Sequence, residues 1–248
     1  MILTSKNNPL IKETVSLKNK KARRALGLFL VEGEKLCAEI NNSSLEIERI
    51  FVSESYRGAY PFPMEPVCVS DDVFRLLSDE VTPQGILCRV KIPQTELVPP
   101  RTSCLFLDGV SDPGNLGAII RTANAAGYRE IYLANCTDPY APKCVRASMS
   151  GVFFTALYFG SKAEILSVLE GTPILAADMQ GENVFCYNAP EKYALAIGNE
   201  ANGISEETFH AASATIRIPM EETQESLNAA VSAGILMYLL KQNQFKKS

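Results

Sequence analysis

Three polar clusters in the chain place donors or carboxylates beside glycine or proline where a strand gives way to a helix. The first holds Asn115 and Arg121 in DPGNLGAIIRTANAAG. A loop that opens a helix presents unpaired backbone N–H groups, and arginine offers a planar fork of donors, so the pair suits a phosphate or ribose clamp. A surface arginine on an amphipathic helix would show the same spacing. The second is GNEANGIS, where Gly198 and Gly203 allow close backbone approach or positive φ on either side of Glu200. Residues 204–208 read independently as a helix start, with Ser205 as cap and Glu206 and Glu207 at the positive end of the dipole, which leaves Glu200 unexplained. The third is IPMEETQESLNAA, in which Ser226 and Asn228 open an apolar helix after a polar loop. Ser226 alone would serve as a cap, whereas a buried Asn228 needs a partner and points to a polar site nearby.

Other chemistries find no support. There is no G-x-G-x-x-G, no G-x-x-x-x-G-K-[ST] and no G-x-S-x-G. The one histidine, His210, leaves little for a His-rich metal site and only that residue for a Ser/His triad. The seven cysteines form no Cys-x-x-Cys pair and mostly sit in apolar, strand-like contexts such as CLFLDG. They read as small buried hydrophobes in a reducing cytoplasm.

The elements that must position these clusters form two series. Residues 1–91 alternate helix and strand: a basic helical start from Pro9 to Arg24, FLVEGEKLCAEI, IERIFVSES, a proline-rich turn, SDDVFRLLSDE capped by Ser70, and the strand GILCRVKI. Residues 92–101 read as an extended linker carrying Pro93, Pro99 and Pro100. Residues 102–248 repeat the rhythm. CLFLDGV is a strand, AIIRTANAAG a helix stopped by Gly127, EIYLAN a strand, and KAEILSVLE a helix with a Ser161/Glu164 capping box. TPILAADM, ALAIGNE and ATIRIPM suit strands of a parallel sheet buried on both faces. The run SLNAAVSAGILMYLL is apolar nearly all round, so its helix needs cover from its own domain and from a second subunit. Open α/β sheets bind ligands beyond the carboxyl ends of their strands, and all three clusters fall there.

Composition agrees with a globular α/β protein: 248 residues, 46% hydrophobic and 21% charged. The net charge is −4, but Lys6, Lys12, Lys18, Lys20, Lys21, Arg23 and Arg24 crowd the N-terminal segment. Such a cluster attracts phosphates without reading sequence. No run approaches the roughly 18–20 apolar residues of a membrane span, and the start lacks a signal-peptide core.

Taken together, DGVSDPGNLGAIIRTANAAG, LAIGNEANGIS and IRIPMEETQESLNAAVSAGILMY resemble, in order and spacing, the three motifs of the SpoU/TrmH branch of the SPOUT RNA methyltransferases. Ala201 stands where many relatives carry glycine, and VRASMSGVFF resembles the family's VRAS-type helix start with its glycine displaced to Gly151. The leading region, through NPLIKETVSLKNKKARRALGLFLVEG and TPQGILCRV, resembles the substrate-binding domain before many of these enzymes, related to ribosomal proteins that bind kinked RNA. The resemblance implies a SpoU-type domain with a deep trefoil knot, homodimerisation, and S-adenosylmethionine as the cofactor, with no metal. It implies methyl transfer to a ribose 2′-hydroxyl of RNA, ribosomal rather than transfer RNA. By motif position Gly198, Ile218 and Leu227 contact the cofactor, and Asn115, Arg121, Glu200, Ser226 and Asn228 form the catalytic and ribose-side group. The alternatives are a transfer-RNA enzyme, a base methyltransferase of another SPOUT branch, or an RNA-binding protein that keeps the fold without the reaction.

Overall fold

The structure is a computed structural model that describes residues 2–223 and 226–245. Gln224 and Glu225, part of the polar loop expected before Ser226, lie outside the described residues. The N-terminal unit runs α1 (Pro9–Ser16), α2 (Lys20–Leu26), β1 (Leu28–Glu32), α3 (Glu34–Glu39), β2 (Ile47–Ser53), β3 (Val67–Val69), α4 (Asp71–Leu77) and β4 (Ile86–Lys91). Its four strands pair in the order β1-β4-β2-β3, with β4 antiparallel to both neighbours.

The basic start is two helices rather than one. Asn19 accepts the Lys21 N–H at 2.8 Å and opens a new helix, while Leu17 turns inward and is fully buried. Ser70 caps α4 by accepting the Val73 N–H.

The larger unit begins with β5 (Cys104–Asp108), α5 (Pro113–Ala125), β6 (Glu130–Ala134), α6 (Pro142–Ala147) and α7 (Gly151–Phe154). It continues with β7 (Ala156–Phe159), α8 (Lys162–Val168), β8 (Ile174–Asn183), β9 (Ala194–Ile197), α9 (Glu206–Ala211), β10 (Ala214–Arg217), α10 (Ala229–Leu240) and α11 (Gln242–Phe245). Its six strands are all parallel, in the order β10-β8-β9-β5-β6-β7. Residues of β5, β6 and β9 are buried throughout, as strands covered on both faces must be. The Ser161/Glu164 capping box forms on α8, and Gly127 stops the α5 segment at φ 75°. The VRAS-type segment differs from expectation: Ser148 ends α6 instead of starting a helix, and its buried hydroxyl donates to the Val145 carbonyl at 2.8 Å.

Residues 92–101 are extended but tied down. Thr95 donates to the Leu157 carbonyl at 2.7 Å, Tyr132 donates to that of Val98 at 2.8 Å, and the Glu130 carboxylate accepts the Arg101 and Thr102 N–H groups. The two sheets share one apolar core, in which Phe29 of β1 meets Tyr140 at 4.9 Å between ring centroids. Arg23, only 3% exposed, crosses the junction to Asp138 at 2.6 Å and also donates to the Leu17 and Lys18 carbonyls. That guanidinium is therefore spent inside the protein, and Arg23 is no phosphate contact.

Candidate active site

Because β9 lies beside β5 and both run the same way, the loops that leave them emerge side by side at one edge of the sheet. After β5 the chain makes a tight loop in which Asp112 caps α5 by accepting the Asn115 N–H at 2.8 Å. After β9, residues 199–203 close on themselves. Asn199 and Gly203 exchange both backbone hydrogen bonds at 2.9 Å, and the Asn199 amide donates to the Gly109 carbonyl at 2.8 Å. A Cβ on Gly198 would lie 2.2 Å from the Gly203 carbonyl carbon and oxygen, so only a bare backbone permits this turn.

The turn presents Glu200 to the β5 loop. One carboxylate oxygen accepts the Ser111 N–H and hydroxyl at 3.1 and 2.9 Å; the other accepts the Asp112 N–H at 3.2 Å and the Asn115 amide at 3.0 Å. Partial burial alone would raise the pKa of this acid, but the donors from Asn115 and the backbone outweigh it and lower the value to about 2. The Asn115 oxygen in turn accepts the Asn228 amide at 2.9 Å, and Asn228 caps α10 by accepting the Ala230 and Val231 N–H groups. The cap of α10 is thus Asn228 and not Ser226. One continuous chain of hydrogen bonds joins the three segments that the sequence singled out.

Beside this chain lies a cavity of about 630 Å³, inside the range of roughly 300–1,000 Å³ that small-molecule sites occupy. Gly198, Glu200, Ile218, Ser226 and Leu227 all line it. Its walls combine apolar side chains (Ile197, Ile216, Leu236) with main chain, and Asp178 and Glu200 add carboxylates. That lining suits a ligand that combines apolar surface with positive charge. Asn115 and Asn228 adjoin the cavity through Glu200 rather than through its lining.

Arg121 stands apart. It is exposed on α5, has no ion-pair partner among the described residues, and does not line the cavity. Gly151 lets α7 approach here, since a Cβ would come within 3.0 Å of the Arg121 Cα. The structure therefore does not join Arg121 to the Glu200–Asn115–Asn228 chain.

Several contributors escaped the sequence reading. Ser111 and Asp112 hold Glu200, and a helix cap three residues before Asn115 was a usable signal for Asp112. Asp108 at the end of β5 accepts from the Ser205 N–H, Ser205 hydroxyl, Thr208 hydroxyl and Lys162 ammonium, which pins the start of α9 under the Glu200 turn. Burial disfavours its charge, but these donors overcome that and keep the carboxyl below its usual range. The cavity wall from β8, Ala177–Gln180, carried no local signal.

Residues 102–238 match the model of the SpoU rRNA Methylase family. The chain belongs to the SpoU rRNA methylase family. Residues 8–88 of this SpoU-family chain match a second model, the MRM3-like substrate binding domain. The chain is similar to the 23S rRNA (guanosine(2553)-2′-O)-methyltransferase RlmP of Bacillus subtilis (strain 168), 31% identical and covering 96% of this chain and 98% of that one. Among solved structures it resembles the AdoMet-bound rRNA methyltransferase from Sinorhizobium meliloti, with TM-score 0.87, 26% identity and 98% of each chain covered. It also resembles the SpoU methyltransferase AviRb from Streptomyces viridochromogenes in complex with the cofactor AdoMet, with TM-score 0.87, 25% identity, and 96% of this chain and 99% of that chain covered. The α/β fold with its parallel sheet is the fold of these SpoU-family enzymes.

Proposed function

We propose that this SpoU-family chain is an S-adenosylmethionine-dependent RNA methyltransferase that acts on a ribose 2′-hydroxyl of ribosomal RNA. The observation that carries the reading is the Glu200–Asn115–Asn228 chain, which draws three loops together beside a cavity of matching size. Family membership and the ribosomal-RNA names of the relatives support it. S-adenosylmethionine, when bound, supplies an electrophilic methyl group on a sulfonium. Gly198, Ile218 and Leu227, all of which line the cavity, would hold the cofactor. Glu200, which lines the cavity and is ionised at any physiological pH, would contribute negative charge to the wall of a site for a sulfonium cofactor.

The same fact argues against a general-base role for Glu200. A carboxylate with four donors and a pKa of about 2 has little affinity for the proton of a hydroxyl. Glu200 instead fixes Asn115, and through it Asn228 and the start of α10. Ser226 sits on the cavity rim next to that cap and orients the ribose. Arg121, exposed and without an ion-pair partner among the described residues, orients an RNA phosphate and stabilises charge that develops on the nucleophile. Guanidinium keeps its proton, so water or an RNA phosphate accepts the one released.

The reading extends to organisation. Residues 1–91 form an RNA substrate-binding domain resembling proteins that bind kinked RNA, 92–101 the connection, and 102–248 the methyltransferase domain with the family's deep trefoil knot. Helix α10 leaves Val231 51% and Tyr238 43% exposed, which supports a homodimer formed over that face. Seven free thiols suit the cytoplasm, and among the described residues no helix is long and apolar enough to cross a membrane.

The test is transfer of labelled methyl from S-adenosylmethionine to a 23S ribosomal RNA transcript, with the product nucleoside identified by mass spectrometry. A methyl group on a base, or on transfer RNA alone, would replace this reading, and cofactor binding without transfer to any RNA would leave a binding protein.

A further inference from the structure

A second cleft, of about 780 Å³, opens where the N-terminal unit meets the carboxyl edge of the large sheet. One wall is α2, which contributes Lys20 and Arg24; the other is the ends of β6 and β7, which contribute Asn135 and Phe159. Arg23 also faces this cleft, but Asp138 and two carbonyls consume its donors. Lys20 and Arg24 are exposed and have no ion-pair partner among the described residues. Phe159 ends an edge strand with 46% of its surface exposed, its ring 6.3 Å from that of Tyr140. Asn135, just after β6, lines the cleft in a left-handed conformation at φ 53°.

An exposed aromatic face beside two uncommitted cations is the chemistry of single-stranded nucleic-acid binding: a base stacks on the ring and its phosphates meet the cations. We propose that this cleft is a nucleotide subsite, distinct from the methyl-transfer cavity, that takes an unpaired nucleotide of the RNA with its base on Phe159 and its phosphate between Lys20 and Arg24. The inference rests on the RNA-directed reading above and adds where a neighbouring nucleotide sits. In the strand order β9-β5-β6-β7, three spacings, about 14 Å, separate the Glu200 turn from Phe159 along the same edge. A short unpaired stretch can span both. The Arg23–Asp138 pair holds the two walls of the cleft together, so α2 and β7 act on the RNA as one surface.

The experiment measures binding of a fluorescein-labelled, short, mixed-sequence single-stranded RNA to the full chain, without a methyl-transfer readout. Phe159→Ala should weaken binding about tenfold, and Phe159→Tyr should retain it. Lys20→Ala with Arg24→Ala should flatten the salt dependence by about 0.7 in slope for each phosphate that is no longer neutralised. Calorimetry with S-adenosylmethionine checks that each variant keeps its cofactor cavity. Equal RNA affinity for wild type and Phe159→Ala, or no RNA binding by wild type, overturns the proposal. Phe159-dependent RNA binding in a protein that methylates no RNA would uphold the subsite and sink the enzymatic reading instead.

Discussion

The side-chain amide of Asn228 donates to the side-chain oxygen of Asn115 across 2.9 Å, joining residues 113 positions apart in the chain. Each asparagine also does local work, since Asn115 donates to Glu200 and Asn228 caps α10. The geometry of the site is thereby coupled to the stability of a helix end.

Substitutions at Asn228 separate the two duties. Asn228→Ala loses cap and link together, costing about 1 kcal/mol of stability and most of the methyl-transfer rate. Asn228→Asp keeps an acceptor for the Ala230 and Val231 N–H groups but has no amide to donate to Asn115. Its melting temperature should stay near wild type while kcat falls. Equal kcat in Asn228→Asp and wild type would show that the link is dispensable.

Glu200→Gln tests the carboxylate as an anchor. Its amide would turn a donor toward the Ser111 or Asp112 N–H, so the loop loosens and transfer slows by an order of magnitude or more. The pH–rate profile near neutrality should keep its shape, because a group with a pKa of about 2 does not titrate there. Loss of an acid limb in the variant would instead make Glu200 a general base.

The same shift has a stability signature. The folded-state value of about 2 lies below the ordinary 4.5, so the stabilisation is complete above pH 4.5 and disappears as the pH falls to about 2. Urea unfolding of wild type and Glu200→Gln should therefore show a gap that narrows through that window. A gap independent of pH would contradict the assignment.

Gly198→Ala should cripple cofactor binding at minimal cost to the rest of the fold. The added methyl meets backbone at 2.2 Å, and the Asn199–Gly203 turn cannot retreat without releasing Glu200. Calorimetric titration with S-adenosylmethionine should show affinity reduced at least tenfold, with a near-wild-type far-ultraviolet spectrum.

Asp138→Asn leaves the buried Arg23 guanidinium without its counter-charge. Breaking such a pair costs roughly 3 kcal/mol, far more than an exposed ion pair would. The loss should appear in urea unfolding and as faster proteolysis at the junction of the two units. Arg121→Ala makes the opposite prediction: stability within about 0.5 kcal/mol of wild type, because the side chain is exposed, but a lower rate of transfer.

What the sequence determined by itself is what local chemistry can specify. Ser70, the Ser161/Glu164 box and Gly127 start or end helices through contacts a few residues long. Of the three apolar runs that read as strands covered on both faces, only β9 is buried throughout; β8 emerges in its second half and β10 is an edge strand with a single buried residue, because coverage depends on strand order and not on the run itself. The three motif segments were legible as clusters, and Gly198, Ile218, Ser226 and Leu227 meet at one cavity. Strand order was not legible, because no local pattern says that β9 inserts beside β5, and that adjacency alone brings Glu200 to Ser111, Asp112 and Asn115. Charge in the sequence likewise has no address. Arg23 and Arg24 are neighbours in one basic run, yet packing against the second unit buries the first on Asp138 and leaves the second facing the cleft. Hydrogen bonds of short sequence separation are fixed by residue type; which distant donors reach a carboxylate, and so how basic it is, depends on the packed sheet that holds them.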